Sequence, residues 1–230
     1  MSANRSIRGF RVTRRDLAVV GWLGRLRFAE AAQVARRFAL SERHAYRRLR
    51  GLVALGLLDH RRVFHNRPGV YWATRAGLDA AGLRLPPAGI DIRTYDHDRL
   101  AAAVAIDLAG EFSAEAIVTE RELRSLDAAA ESPRYAVRRG SADRGGRRGL
   151  HFPDLAVNGA DGRPLAVEVE LTAKGRGRLD SIVAAYVRAR HIAGVRYYAA
   201  PSATPGLERA IARARAESLF DLHTTKEIHQ

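Results

Sequence analysis

Between Leu165 and Thr172 the chain alternates with period two. Leu165, Val167, Val169 and Leu171 fall on one face of a strand, and Ala166, Glu168, Glu170 and Thr172 on the other. The apolar face must be buried, so this segment belongs in a sheet packed against other elements. Phe152-Pro153-Asp154-Leu155-Ala156-Val157 reads as a second short strand, and Asn158-Gly159-Ala160-Asp161-Gly162 supplies the turn residues of a hairpin between the two. That pairing would set Asp154 beside Glu168 and Glu170. Lys174 keeps the parity of the two glutamates if the strand runs on, and Gly175 and Gly177 lead into a helix expected to begin near Arg178.

Carboxylates on adjacent strands are hard oxygen ligands suited to Mg²⁺ or Mn²⁺, and such an ion can hold a phosphate and activate a water. The order P-D, then E-x-E, then lysine resembles the metal-binding core of the PD-(D/E)XK nuclease superfamily. By that resemblance Asp154 and Glu168 would ligate the metal, Glu170 would ligate it or orient the water, and Lys174 would stabilise phosphate charge. One position departs from the pattern: most members carry a lysine where this chain has Glu170. An active nickase, and a non-catalytic transcriptional regulator or accessory DNA-binding protein whose nuclease-like unit serves dimerisation or partner docking, are both open at this point. The plain alternative is a hairpin whose acidic face is solvated.

Charge divides the chain. Residues 1–90 carry 18 arginines against 5 acidic residues, a net +13, whereas residues 91–230 carry 21 basic residues against 20 acidic, a net +1. An evenly arginine-rich composition does not explain this skew. A segment so basic is an electrostatic footprint for polyphosphate, because each arginine that neutralises a phosphate releases a condensed counterion.

Within it the periodicity predicts three helices, a hairpin and a closing helix. Residues 1–12 read as a disordered basic arm. Thr13 with Asp16 forms a capping-box start for a first helix carrying Leu17, Val20, Trp22, Leu23 and Leu26. A second helix is expected over 29–38. Ser41 caps a third, running to about Leu55, with Ala45, Tyr46, Leu49, Leu52 and Val53 turned inwards. Residues 57–64 and 70–73 read as strands around a turn at 65–69, and Thr74 caps a helix over 75–82. This is the order of a winged helix-turn-helix, in which the third helix enters the major groove of double-stranded DNA. Arg43, His44 and Arg47 are candidates for base edges, and Arg48, Arg50, Arg61, Arg62 and Arg67 for phosphates.

Leu85-Pro86-Pro87-Ala88-Gly89 breaks the helical pattern. The expected organisation is therefore an arm (1–12), a winged helix (13–85), a linker (86–93) and an α/β domain (94–230), an α+β chain as a whole. In the last part a helix is expected over 99–112, a strand over 116–118, a helix start at 119–124, a helix ending near His191, a strand over 195–200, a helix over 205–218 and a strand over 219–222. Residues 138–149, RRGSADRGGRRG, read as a loop.

The succession YWATRAGLDAAG, DHDRLAAAVAIDL, VTERELRS, FPDLAV and LAVEVELTAKGRGRLDSIVAAY resembles the replication-relaxation family of actinobacterial plasmids and integrative elements, over roughly residues 14 to 200. That resemblance implies a DNA-binding protein acting in initiation of replication or transfer, with replication or transfer proteins as partners and a homodimer as one arrangement. It also adds Glu120 as a candidate ligand.

Other chemistries find little footing. There is no cysteine for a disulfide or thiolate site. No Walker A ending follows the glycines of 140–149, and the histidines lack zinc spacing. Tyr186, Tyr197 and Tyr198 have no His-x-His strand of the kind a nicking tyrosine requires. With no eighteen-residue apolar run and a polar, basic start, the protein is expected to be soluble and cytoplasmic, without a membrane partner.

Overall fold

The computed structural model describes residues 10–140 and 149–225, which fall into two units divided between Ala102 and Ala103. The greater part of the arm and of the 138–149 loop lies outside the described residues.

In the first unit, α1 (Arg14–Arg25) starts at the expected capping box. The Thr13 hydroxyl accepts from the Asp16 amide at 3.2 Å while the Asp16 carboxylate accepts from the Thr13 amide at 2.7 Å. The segment expected as one helix over 29–38 is instead β1 (Ala29–Glu30) followed by α2 (Ala31–Arg37). The cause is long-range: Ala29 and Glu30 pair with Tyr71 and Val70, a constraint that helical periodicity cannot reveal. Ala39 turns through a positive φ of 51°, and Ser41 caps α3 (Glu42–Ala54) by accepting from the His44 amide at 3.3 Å.

The wing is the antiparallel pair β2 (Leu58–Arg61) and β3 (Val70–Ala73), which completes a three-stranded sheet in the order β1-β3-β2. Behind it α4 (Arg75–Ala80) is capped by Thr74, whose hydroxyl accepts from Gly77 at 3.1 Å. Val20, Leu23, Ala45, Leu49, Leu52 and Leu78 are buried, and removal of their apolar area from water is the main stabilising term. This order of helices and small sheet resembles a winged helix.

The division between units falls inside α5 (Tyr95–Glu111), not at Pro86-Pro87. Aromatic packing explains the shift. Tyr95 stacks on Phe28 with centroids 4.9 Å apart and meets Phe64 edge-on at 4.9 Å, so the beginning of α5 shares the first unit's core.

The second unit is a mixed five-stranded sheet in the order β10-β9-β8-β7-β4. Its strands are β4 (Ile117–Thr119), β7 (Leu155–Asn158), β8 (Pro164–Glu170), β9 (Gly194–Ala199) and β10 (Phe220–Thr224). β4, β7 and β8 form an antiparallel meander, and β9 and β10 then run parallel to β8. Parallel neighbours need crossovers, supplied by α7 (Arg176–Arg188) and α8 (Thr204–Ala214). Between β4 and β7 lie α6 (Glu120–Ala129) and an unanticipated two-residue pair, β5 (Val137–Arg138) with β6 (Leu150–His151). Leu179, Ile182, Val183 and Tyr186 of α7 pack with Leu207 and Ile211 of α8 over Ala166, Val195 and Tyr197. None of the described helices is long and apolar enough to cross a membrane.

Gly77 marks the tightest approach in the first unit, since a Cβ there would meet the Leu57 carbonyl oxygen at 2.0 Å. Backbone cannot step aside as a side-chain end can. Gly77→Ala is therefore expected to lower stability by about 2 kcal/mol, as overpacking does, read from the midpoint of urea unfolding.

Candidate functional sites

The α3 face divides its arginines by partner. Arg43, Tyr46, Arg47 and Arg50 are exposed and line one shallow depression. His44 is exposed beside them, with the Arg47 guanidinium 3.5 Å from its Nδ1. None of Arg43, Arg47 and Arg50 forms a salt bridge with a described residue, and neither do Arg61 and Arg62 on the exposed side of the wing. Tyr46, expected to face inwards, is 40% exposed.

Arg48 is different. It was expected on phosphate, but its guanidinium forks onto Asp16, with Nε to Oδ1 at 2.8 Å and Nη2 to Oδ2, and also donates to the Arg11 carbonyl at 2.9 Å. Phe10 lies under the same guanidinium, 4.0 Å from its centre. The physical reason is burial: the Asp16 side chain is 3% exposed and needs a cation. Arg67 likewise pairs with Asp96 and lies over Phe64 at 5.1 Å, so its charge is partly answered within the protein.

At the second candidate site the two strand glutamates are buried, which removes the plain alternative of a solvated acidic face. Glu168 and Glu170 are each 4% exposed. Asp154 stands just before β7, and its carboxylate accepts from the Val169 amide at 2.7 Å, extending the ladder where its own backbone turns to receive the Glu120 amide at 2.9 Å. Glu168 accepts from His151 Nε2 at 2.6 Å and from the Tyr186 hydroxyl. Glu170 is paired with Lys174, which lies beyond the strand end and not on it. Glu120 is held by Arg124 one turn along α6, at 2.7 Å.

These contacts set the protonation states. Burial pushes the Glu168 carboxyl up, but His151 and the Tyr186 hydroxyl outweigh it and leave the group below the ordinary carboxylate value. For His151 burial works downward, and the Glu168 charge reverses it to a net rise. Burial, then the nearby Glu168 charge, holds the Tyr186 phenol well above its ordinary value.

Asp154, Glu168, Glu170 and Glu120 therefore reach the same end of the sheet, each engaged with a different protein donor. Among the described residues no three His, Asp or Glu side chains are placed to hold a metal ion. A divalent ion at this end of the sheet would have to displace those donors. His151 was missed as a partner of Glu168 because β6 spans only two residues, too short for a periodic signal, and Tyr186 because helical periodicity buries its ring without saying what its hydroxyl meets.

No family model matches the chain, and no curated protein matches it. Among solved structures, a cysteine-to-serine mutant of Lactococcus lactis ZitR in complex with DNA is 16% identical, with 55% of this chain and 77% of that one covered and a TM-score of 0.29. ZitR described as a zinc-responsive MarR family member gives 15% identity, 55% and 76% coverage and a TM-score of 0.29. PigF with SAH gives 18% identity over 91% of this chain and 56% of that one, with a TM-score of 0.22. The likeness to the MarR-family regulators is thus distant and spans about half of the chain. Superpositions this loose do not define a fold, and the winged-helix description rests on element order and strand register.

Removing the Arg48 side chain leaves Asp16 buried without its cation. Arg48→Ala should cost about 3 kcal/mol of stability, measured by denaturant unfolding, against less than about 0.5 kcal/mol for Arg43→Ala on the open face. The same pair predicts a pH dependence. Burial would raise Asp16, but its bonds from Arg48 and Thr13 hold it below the ordinary 3.8. A carboxyl lowered in the folded state contributes stability above its unfolded value and loses it as pH falls through the folded one. Asp16→Asn should therefore flatten the acid limb of the stability profile below about pH 4, followed by thermal melts from pH 7 to pH 2.

Proposed function

We propose that the protein binds double-stranded DNA through α3 and the wing, and that the second unit is a non-catalytic, nuclease-like accessory serving dimerisation or partner docking. One observation carries the first part: Arg43, Arg47, Arg50, Arg61 and Arg62 are exposed and form no ion pair with a described carboxylate, on the helix and wing that a winged helix presents to a duplex. At the buried Asp16 the protein supplies an internal cation. The open arginines await anions from elsewhere, and a phosphate backbone offers them at regular spacing. The +13 of residues 1–90 supports the same reading.

The accessory reading of the second unit rests on the internal pairing of its acids. A metal-dependent nuclease is a second reading, favoured by one feature. The helix, three-stranded meander, helix and parallel strand made by α5, β4, β7, β8, α7 and β9 follow the element order of the PD-(D/E)XK superfamily, with Asp154 next to the Leu155–Val167 pair and Glu168 next to its other member. The geometry adds nothing to the family-level expectation of a role in replication or transfer.

Fluorescence anisotropy on a labelled duplex tests the binding. Affinity should fall steeply as salt rises, and Arg50→Ala or Arg61→Ala, at the positions assigned to phosphates, should each shallow the slope of log K against log salt by about 1. A salt-independent or absent interaction would remove the reading. Supercoiled plasmid incubated with Mg²⁺ or Mn²⁺ should stay uncut, and nicking by the wild type that is lost in Asp154→Ala and Glu168→Ala would establish the nuclease instead.

A further inference from the structure

Tyr46 is the one large apolar side chain on the open arginine face of α3. It lies three residues after Arg43, next to Arg47 and four before Arg50, so helical spacing gathers all four at one depression. Its ring is 40% exposed, while the inward line of the helix is held by Ala45 and Leu49, both fully buried. The hydroxyl bonds to no described residue. Tyr71 of β3 is 3% exposed with the His60 ring against it at 4.5 Å, and burial first, then the Tyr46 phenol, pushes its own phenol up.

We infer that Tyr46 determines sequence preference by covering the 5-methyl group of a thymine in the major groove. The inference rests on the DNA-binding reading. Arginine stems around the ring bring charge, which attracts any duplex. An apolar surface in their midst gains only where a base edge is itself apolar, and the thymine methyl is the apolar group the major groove displays. Burying one such carbon is worth about fourfold in affinity, and a scrambled site or a uracil cannot supply it. Tyr46 therefore separates sequences while Arg43, Arg47 and Arg50 set the general affinity.

The experiment uses the full chain. Wild-type protein first enriches duplexes from a randomised library, and each thymine of the enriched site is then replaced by deoxyuridine, which removes only the methyl group. At one position this should weaken wild-type binding by about fourfold. Tyr46→Ala should lose affinity for the enriched duplex but not for a scrambled one, and should no longer respond to the uracil at that position. Tyr46→Phe, which keeps the ring and guards against a folding defect, should respond as the wild type does. The inference is overturned by a uracil effect of equal size in wild type and Tyr46→Ala, by no uracil effect at any position, or by equal losses on enriched and scrambled duplexes. It is also overturned if the wild type binds duplexes but enriches none, and in that case the DNA-binding reading stands. Failure to bind any duplex removes both.

Discussion

The buried carboxylate of Asp16 is the constraint on which the first unit is built. Its oxygens accept the Thr13 amide that would otherwise be left bare at the start of α1, and both also receive the Arg48 fork from α3. One acid thus ties the first turn of one helix to the middle of another. A fork on a carboxylate is directional, so the pair fixes rotation of α3 about its axis as well as distance. With Arg48 turned inwards, the residues one position before and two after it, Arg47 and Arg50, turn outwards. Phe10 closes the arrangement: it lies under the guanidinium and against Gly51, where a Cβ would fall 2.1 Å from the ring.

The second unit solves a similar problem differently. β8 is covered on both faces, so its two glutamates cannot shed their charge to water. Burial alone would push the Glu168 carboxyl towards its neutral form. Instead Glu168 is received by a histidine and a phenol and Glu170 by a lysine, all from segments that follow or precede the strand. Charges paired in this way add little net stability, but loss of one partner is costly. Such a network specifies which helix packs on which strand: Tyr186 reaches Glu168 only if α7 crosses that part of the sheet. The carboxylates thus help to fix the fold, and this role does not require an ion.

Much of this could be read from the residues alone because the signals were local. Thr13 with Asp16, Ser41 and Thr74 marked three helix starts, the alternation in 165–170 marked β8, and the asparagine and glycines of 158–162 marked its hairpin. What escaped depended on partners far along the chain. β1 exists only because β3 pairs with it, and the end of the first unit moved to Ala102 because Tyr95 packs with Phe28. Tyr46 was assigned inwards because aromatic residues on amphipathic helices usually are, yet here Ala45 and Leu49 occupy the inner line. For the acids, strand parity correctly set Glu168 and Glu170 on one face, but parity says nothing about which side chains meet them there.

The same limit governs the arginines, and it decides what the composition means. With 39 basic residues in the chain, counting cannot tell a DNA contact from a structural ion pair. Partners can. Arg48 and Arg196 have internal carboxylates, and the latter bonds Glu111 at 2.6 Å and Asp221 at 2.9 Å. Each closes a charge that folding itself buried or brought close. Among the described residues Arg43, Arg47 and Arg50 close none, yet they sit within two turns of one helix, where mutual repulsion works against them. Holding like charges together in water brings no gain to the isolated fold. Their grouping makes physical sense when a polyanion lies across that face, and the ring of Tyr46 among them gives the face a means of preferring one stretch of it.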